Sequence, residues 1–199
     1  NPSALSNVVS NSTTNPRIIF EDNMENGING WFKEGLWHLE THRYYSPSTS
    51  WAYNNGSTLY NYRVPGGDFG SLTSPAFDLK PYKSAKLKFK FLHQIELSFD
   101  QEMIEIGVDG NFTAVPQSFA EPVLMLTWYN SSIDMSQYAG KSNVQVRFYF
   151  STFGFHNNNY EGWYIDDVNV FGELGKLNNS PVANAGINRT VFVNQTINF

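Results

Sequence analysis

The sequence contains no cysteine, which excludes disulfide frameworks and thiolate metal sites without fixing a redox compartment. Charge is scarce as well. Asp, Glu, Lys and Arg make up 16% of the 199 residues, against roughly 25% in an average soluble domain. The formal net charge is −5, whereas a nucleic-acid binder normally presents a basic stripe. Nucleic acid is therefore not an expected partner. No apolar run approaches the ~18–20 residues of a helical membrane span, and no signal peptide stands at the start. An exported protein would have lost its signal or would carry it further upstream. Catalytic signatures are missing too: there is no Gly-x-Ser-x-Gly, no helical His-Glu-x-x-His and no phosphate-binding glycine loop. The expectation is a protein that binds rather than reacts.

What the sequence has instead is aromatic and amide. Its 16 Phe, 11 Tyr and 5 Trp can fill a sizeable core, and Asn, Ser and Thr take the place of charge on the surface. Seven positions fit the Asn-x-Ser/Thr acceptor pattern: Asn11, Asn55, Asn111, Asn130, Asn178, Asn188 and Asn194. Such a density points to an extracellular or cell-surface protein with glycosylation expected at these sites.

The apolar pattern has period two. Ala85, Leu87, Phe89, Phe91, Ile95 and Leu97 fall on one parity, with Lys86, Lys88, Lys90, Gln94 and Glu96 on the other. Val144, Val146, Phe148 and Phe150 alternate in the same way, as do Ile104, Ile106 and Val108 before the turn Asp109-Gly110. This is the mark of strands packed on one face. Further β-rich runs at 17–20, 30–39, 50–62, 122–129 and 162–171 are separated by Gly, Pro and Asn. No segment carries a long helical period. The expected fold is all-β, a two-sheet antiparallel sandwich of jelly-roll type over residues 17–172. The Ser/Thr/Asn/Pro-rich stretch at 1–16 and the polar stretch at 173–180 are read as linkers. Residues 181–199 are read as a partial strand segment beyond the second linker.

The pair Asp166-Asp167 interrupts an apolar strand. Ile165 shares a parity with Asp167, while Val168 and Val170 share one with Asp166. A β-bulge at the pair reconciles the two halves. One carboxylate must then face inward, where it is costly unless paired, hydrogen-bonded or bound to a cation. Asp167 is expected to be the buried one, near the first strand, with Asp166 turned outward.

Several pieces in order resemble the MAM-like jelly-roll modules of prokaryotic secreted proteins. They are Phe20-Glu-Asp-Asn-Met-Glu-Asn-Gly with Gly30-Trp31, then Leu36-Trp37-His38-Leu39 and Ser50-Trp51-Ala-Tyr53. Leu72 to Leu79, Ile133 to Gly140 and Gly162-Trp-Tyr-Ile-Asp-Asp-Val168 complete the series. Such modules often follow the catalytic domain of immune-inhibitor-A-type or subtilisin-like peptidases. The resemblance implies a structural Ca²⁺ held by Asp166 or Asp167 together with Glu21 or Asp22, an all-oxygen set that suits this ion. The alternative is an Asp that accepts backbone N–H groups at the bulge, or one that pairs with an Arg. From Pro181 onward the chain resembles the opening of a PKD domain, too short to form a sandwich alone.

Two clusters remain. His38, Glu40 and His42 share a strand face, which is either a zinc-like set or an ordinary strand end. Trp37 and Trp51 are expected in the core. Tyr44, Tyr45, Tyr60 and Tyr62 lie among Ser, Thr, Asn and Gly, and are the candidates for stacking on a sugar. The leading expectation is a Ca²⁺-stabilised accessory module that contacts an extracellular glycan or protein. Two alternatives are a surface filament or adhesin subunit assembling through strand 190–199, and an accessory domain of a secreted peptidase.

Overall fold

The computed structural model describes residues 15–175, apart from 57–59, 66–67, 97, 117–125, 153 and 155–156. The linker at 1–14, the PKD-like segment, strand 190–199 and the sequons at Asn11, Asn178, Asn188 and Asn194 lie outside the described residues.

The described chain is built from antiparallel strands with a single 3-10 turn at Ser136–Tyr138. The first strands are short: β1 (Arg17–Asp22), β2 (Phe32–Lys33), β3 (Trp37–Glu40), β4 (Ser50–Tyr53) and β5 (Phe69–Thr73). There follow β6 (Tyr82–Gln94), β7 (Asp100–Val108), β8 (Asn111–Val115), β9 (Tyr129–Asp134), β10 (Val144–Thr152) and β11 (Gly162–Leu174), of which β6, β7, β10 and β11 are the long ones. One sheet has the order β3-β4-β11-β6-β9, with β1 also paired to β11; the other runs β2-β5-β10-β7-β8. The two sheets enclose one core, so the expected jelly-roll sandwich is the fold.

The strands that alternate in sequence alternate in burial. Along β6, Ala85, Leu87, Phe89 and Phe91 face the core while Lys86 and Lys88 are exposed. In β10, Val144, Val146, Phe148 and Phe150 are all fully buried. The turn Asp109-Gly110 joins β7 to β8 with both residues at positive φ, the conformation a two-residue hairpin loop needs. Trp37, Trp51 and Trp163 are fully enclosed and Trp31 nearly so. Their rings meet Phe148, Tyr53 and one another at centroid distances of 5.5–6.4 Å. Trp37 and Trp51 are core residues, as expected.

Boundaries differ in four places. The run 30–39 forms two strands rather than one, because Gly35 brings the chain against the β5 backbone, where a Cβ would stand 2.5 Å from the Phe69 carbonyl oxygen. The run 50–62 leaves the sheet after Tyr53, and β9 begins only at Tyr129. The strand β11 passes the Gly172 boundary, with Glu173 and Leu174 paired to Ser84 and Tyr82, so the linker expected at 173–180 starts inside a strand.

Candidate functional site

One strand organises the outer face of the six-stranded sheet. On one side β11 pairs with β6 along its length. On the other it is shared end to end by two short strands, β4 along Trp163–Ile165 and β1 along Val168–Gly172. Asp166 and Asp167 fall in the gap between them, and the register against β6 shifts there. Asp167 adopts φ +48°, a left-handed conformation that Asp tolerates better than most side chains. The bulge inferred from parity is therefore present, and it restores Val168 and Val170 to the core.

The carboxylates behave in the opposite order to expectation. Asp166 is the fully buried one, and Asp167 is partly exposed. The cause is a loop distant in sequence. Residues 41–49 cross the gap, and the Tyr45 and Ser46 amides donate to Asp166 Oδ2 at 2.7 and 3.1 Å. The Asp167 amide donates to Asp166 Oδ1 at 2.7 Å. Burial pushes the Asp166 carboxyl up to about 7, against the opposing pull of the Tyr45 and Asp167 amides. Asp166 thus has the hydrogen-bonded role that stood as the alternative to metal binding. The same loop is held elsewhere by Arg43, whose Nη2 donates to Glu161 Oε1 at 2.7 Å, and by Glu25, which accepts the Thr49 amide at 2.8 Å.

Asp167 also touches this loop, its Oδ1 accepting the Ser46 hydroxyl at 2.9 Å, but it is partly exposed. With Glu21, Asp22, Asn23, Asn26, Asn29 and Asn169 it lines a depression of about 580 Å³ at the end of β1. Asp22 is buried and already engaged: its Oδ1 accepts the Met24 amide at 2.8 Å, and its Oδ2 accepts Asn29 Nδ2 at 3.0 Å and Trp31 Nε1 at 2.9 Å. The donor set is all oxygen, which is the chemistry of Ca²⁺. No group of three carboxylates or histidines converges among the described residues, so any ion here would lean on amide and backbone oxygens.

The outer face has two halves. In one, Ala52, Leu92 and Tyr164 are buried beneath Trp128, whose ring meets Tyr164 at 6.5 Å and Tyr45 at 6.1 Å. The other half is open. A groove of about 540 Å³ runs across β9, β6 and β11, lined by Lys86, Lys88, Lys90, Asn130, Ser132, Asp167, Asn169 and Phe171. It adjoins a second depression of about 590 Å³ that shares Lys86, Lys88 and Phe171.

The four tyrosines separate. Tyr44 and Tyr45 are 42% and 49% exposed, and Tyr45 stands beside the groove, with Lys90 Nζ 4.0 Å from its ring centroid. Tyr60 is half-buried and stacks on His42 at 3.8 Å. Tyr62 is fully buried, its ring against Phe150 and its hydroxyl donating to Asp100; it is a core residue and not a surface one. The stack takes His42 away from Glu40, which accepts the Thr41 and His42 amides at 2.7 and 2.8 Å. His38, Glu40 and His42 are therefore a strand end and not a metal set. Of the described sequons, Asn55, Asn111 and Asn130 are all exposed.

Phe171, Trp128 and the lysine row were not singled out as site residues from sequence. A signal existed for two of them. Beyond the bulge, Phe171 falls on the wet parity of its strand, and three alternating lysines in a charge-poor chain mark a face.

No family model and no curated protein sequence matches the chain. Solved structures do resemble it. The carbohydrate-binding module TmCBM61 in complex with β-1,4-galactotriose aligns over 76% of this chain and 94% of its own, with a TM-score of 0.51 and 15% identity. The CBM22-1 xylan-binding domain of Paenibacillus barcinonensis Xyn10C aligns over 82% of this chain and all of its own, with a TM-score of 0.51 and 13% identity. At such identity the likeness is one of architecture, and this chain shares the β-sandwich fold of carbohydrate-binding modules.

Proposed function

We propose that this chain is a non-catalytic glycan-binding module that works outside the cell as part of a larger secreted or surface protein. The observation that carries the reading is the open groove on the outer sheet face. It offers hydroxyl, amide and ammonium groups around the Phe171 ring, with Tyr45 at its margin. A pyranose has an apolar face and a polar periphery, and such a surface matches both. A galactotriose-bound module and a xylan-binding domain share the architecture, which makes glycans the first ligands to test. The MAM-like reading of the strand motifs, with its peptidase parent, belongs to the same proposal, as do glycans on the exposed Asn55 and Asn111; Asn130 lines the groove and stays unmodified in this reading.

The purified chain applied to a glycan array is expected to bind. Phe171→Ala and Tyr45→Ala should each weaken binding about tenfold, equivalent to ~1.4 kcal/mol. Phe32→Ala, which removes a ring 63% exposed on the other sheet, should change nothing. A flat array with folded protein would end the glycan reading and point to a protein ligand.

Calcium is the second part of the proposal. Asp167, Glu21 and Asp22 are its carboxylate candidates, and the surrounding asparagines supply neutral oxygens. Asp166 is left out, because it is fully buried and both its oxygens accept backbone amides, whereas Asp167 commits only Oδ1, to the Ser46 hydroxyl. Ca²⁺ at a hundredfold excess over Kd would stabilise the fold by roughly 2.7 kcal/mol, a rise of several degrees in Tm. Asp167→Ala should lose that response. Identical melting curves in saturating Ca²⁺ and in chelator would remove the metal.

A further inference from the structure

A glycan lying in this groove would meet an uneven distribution of charge. The chain is acidic overall at −5, yet β6 carries Lys86, Lys88 and Lys90 on its outer parity and into the groove. Strand rise sets successive members of the row roughly 7 Å apart. Lys86 stands opposite Asp134 across β9, and the two charges balance. Lys88 lies between Ser132 and Asn169, and Lys90 between Asn130 and the enclosed Asp166. Neither Lys88 nor Lys90 joins an ion pair among the described residues.

Lys90 Nζ donates to the neutral Asn130 Oδ1, and both ammonium groups rest against aromatic rings. Lys88 Nζ is 5.4 Å from the Phe171 centroid and Lys90 Nζ is 4.0 Å from that of Tyr45. A cation held over an exposed ring is held weakly, and a charge-assisted hydrogen bond to a carboxylate or sulfate is the stronger partner. Each pair therefore contains both halves of a recognition element for an anionic sugar. The apolar sugar face settles on the ring as the ammonium swings from it to the anion.

We infer that the groove selects acidic glycans, polysaccharides bearing carboxylate or sulfate groups, an inference that rests on the glycan-binding reading above. Asp167 stands on the β11 side of the groove, so the anionic groups belong over the β6–β9 side, at Lys88 and Lys90. A neutral galactan or xylan would bring no opposite charge to either ammonium group.

Calorimetric titration of the whole chain tests this with carboxylated polymers (polygalacturonate, alginate), a sulfated one (dextran sulfate) and the neutral galactan and xylan. At least one acidic polymer should bind more tightly than both neutral ones, and which of the two acid types wins distinguishes carboxylate from sulfate. Its affinity should fall severalfold as NaCl rises from about 0.05 to about 0.5 M, because these charges are exposed to screening. Lys88→Gln and Lys90→Gln should each weaken it about tenfold. The exposed Lys141→Gln, outside the groove, should not. Equal or tighter binding of a neutral polymer, or salt-insensitive binding unchanged in both lysine variants, would overturn the acidic preference while glycan binding stands. Failure of every polymer to bind folded protein would overturn both.

Discussion

Asp166→Ala should destabilise the module by about 3–4 kcal/mol near pH 6 and weaken ligand binding with it. Three backbone amides, those of Tyr45, Ser46 and Asp167, end on this one carboxyl. Alanine removes the buried acceptor of all three, and a buried amide left unpaired costs ~1–3 kcal/mol. The damage would spread along the chain. The loop that places Tyr45 beside the groove and the bulge that returns Val168 to the core share the same anchor. Asp166→Asn is expected to cost less, since its amide oxygen can still accept from Tyr45 and Ser46. Its amide nitrogen, however, would then confront the Asp167 N–H. Urea denaturation provides the measurement. An unchanged midpoint for the alanine variant would mean that Arg43 and Glu25 hold the loop unaided.

The same carboxyl should make the protein more stable in mild acid than at neutral pH. Burial raises the folded-state value for Asp166 to about 7, well above the ~3.9 of an unfolded aspartate. The native state thus holds this proton more tightly than the unfolded chain does. That preference contributes its full stabilisation below pH ~4 and is lost as pH rises through about 7. Burial also raises Glu102, although His93 draws it down, and raises Asp100 despite the hydrogen bond from Tyr62. Glu40 opposes the trend. Burial acts against its charge, but the His42 and Thr41 amides and the His38 ring hold its carboxyl below the usual range. Its contribution disappears only in stronger acid. Without divalent cations, Tm should therefore peak near pH 5 and fall toward pH 8. Between pH 5 and 8 the Asp166 part is at most about 2.7 kcal/mol, or roughly 5–10 °C in a domain of this size. Asp166→Asn should start lower and lose most of that slope. A Tm that climbs from pH 5 to 8 in the wild type would contradict the burial of this group as a proton-holding site.

The elements legible in sequence are those with one wet face. In β6 and β10 the core takes every second residue, and the alternation could be read directly. The strand β5 hid because Gly70, Ser71, Leu72 and Thr73 are all buried, so no alternation marks it. Ser71 survives there because its hydroxyl donates to Glu34 Oε2 at 2.6 Å, a partner on another segment. The edge strand β8 is largely exposed and owes its place to the hairpin turn. The parity fault at Asp166-Asp167 announced a bulge, but which carboxylate would be enclosed depends on a loop some 120 positions away. Tyr62 misled for the same reason. Its neighbours Asn61 and Arg63 look like surface, and the ring is buried by Phe150 and Asp100 from distant strands.

The pairing of the first strand with the last has a mechanical side. Arg17 lies opposite Gly172 and the two strands run antiparallel, so polypeptide enters and leaves the sandwich at the same end. Such a domain hangs from the main path of a longer chain as a pendant and adds almost nothing to its contour. Tension drawn through the two ends would not shear β1 along β11. It would peel the hydrogen-bonded pairs apart in succession, starting from Arg17 and moving toward the bulge. The seam would open as a zipper does, one rung at a time.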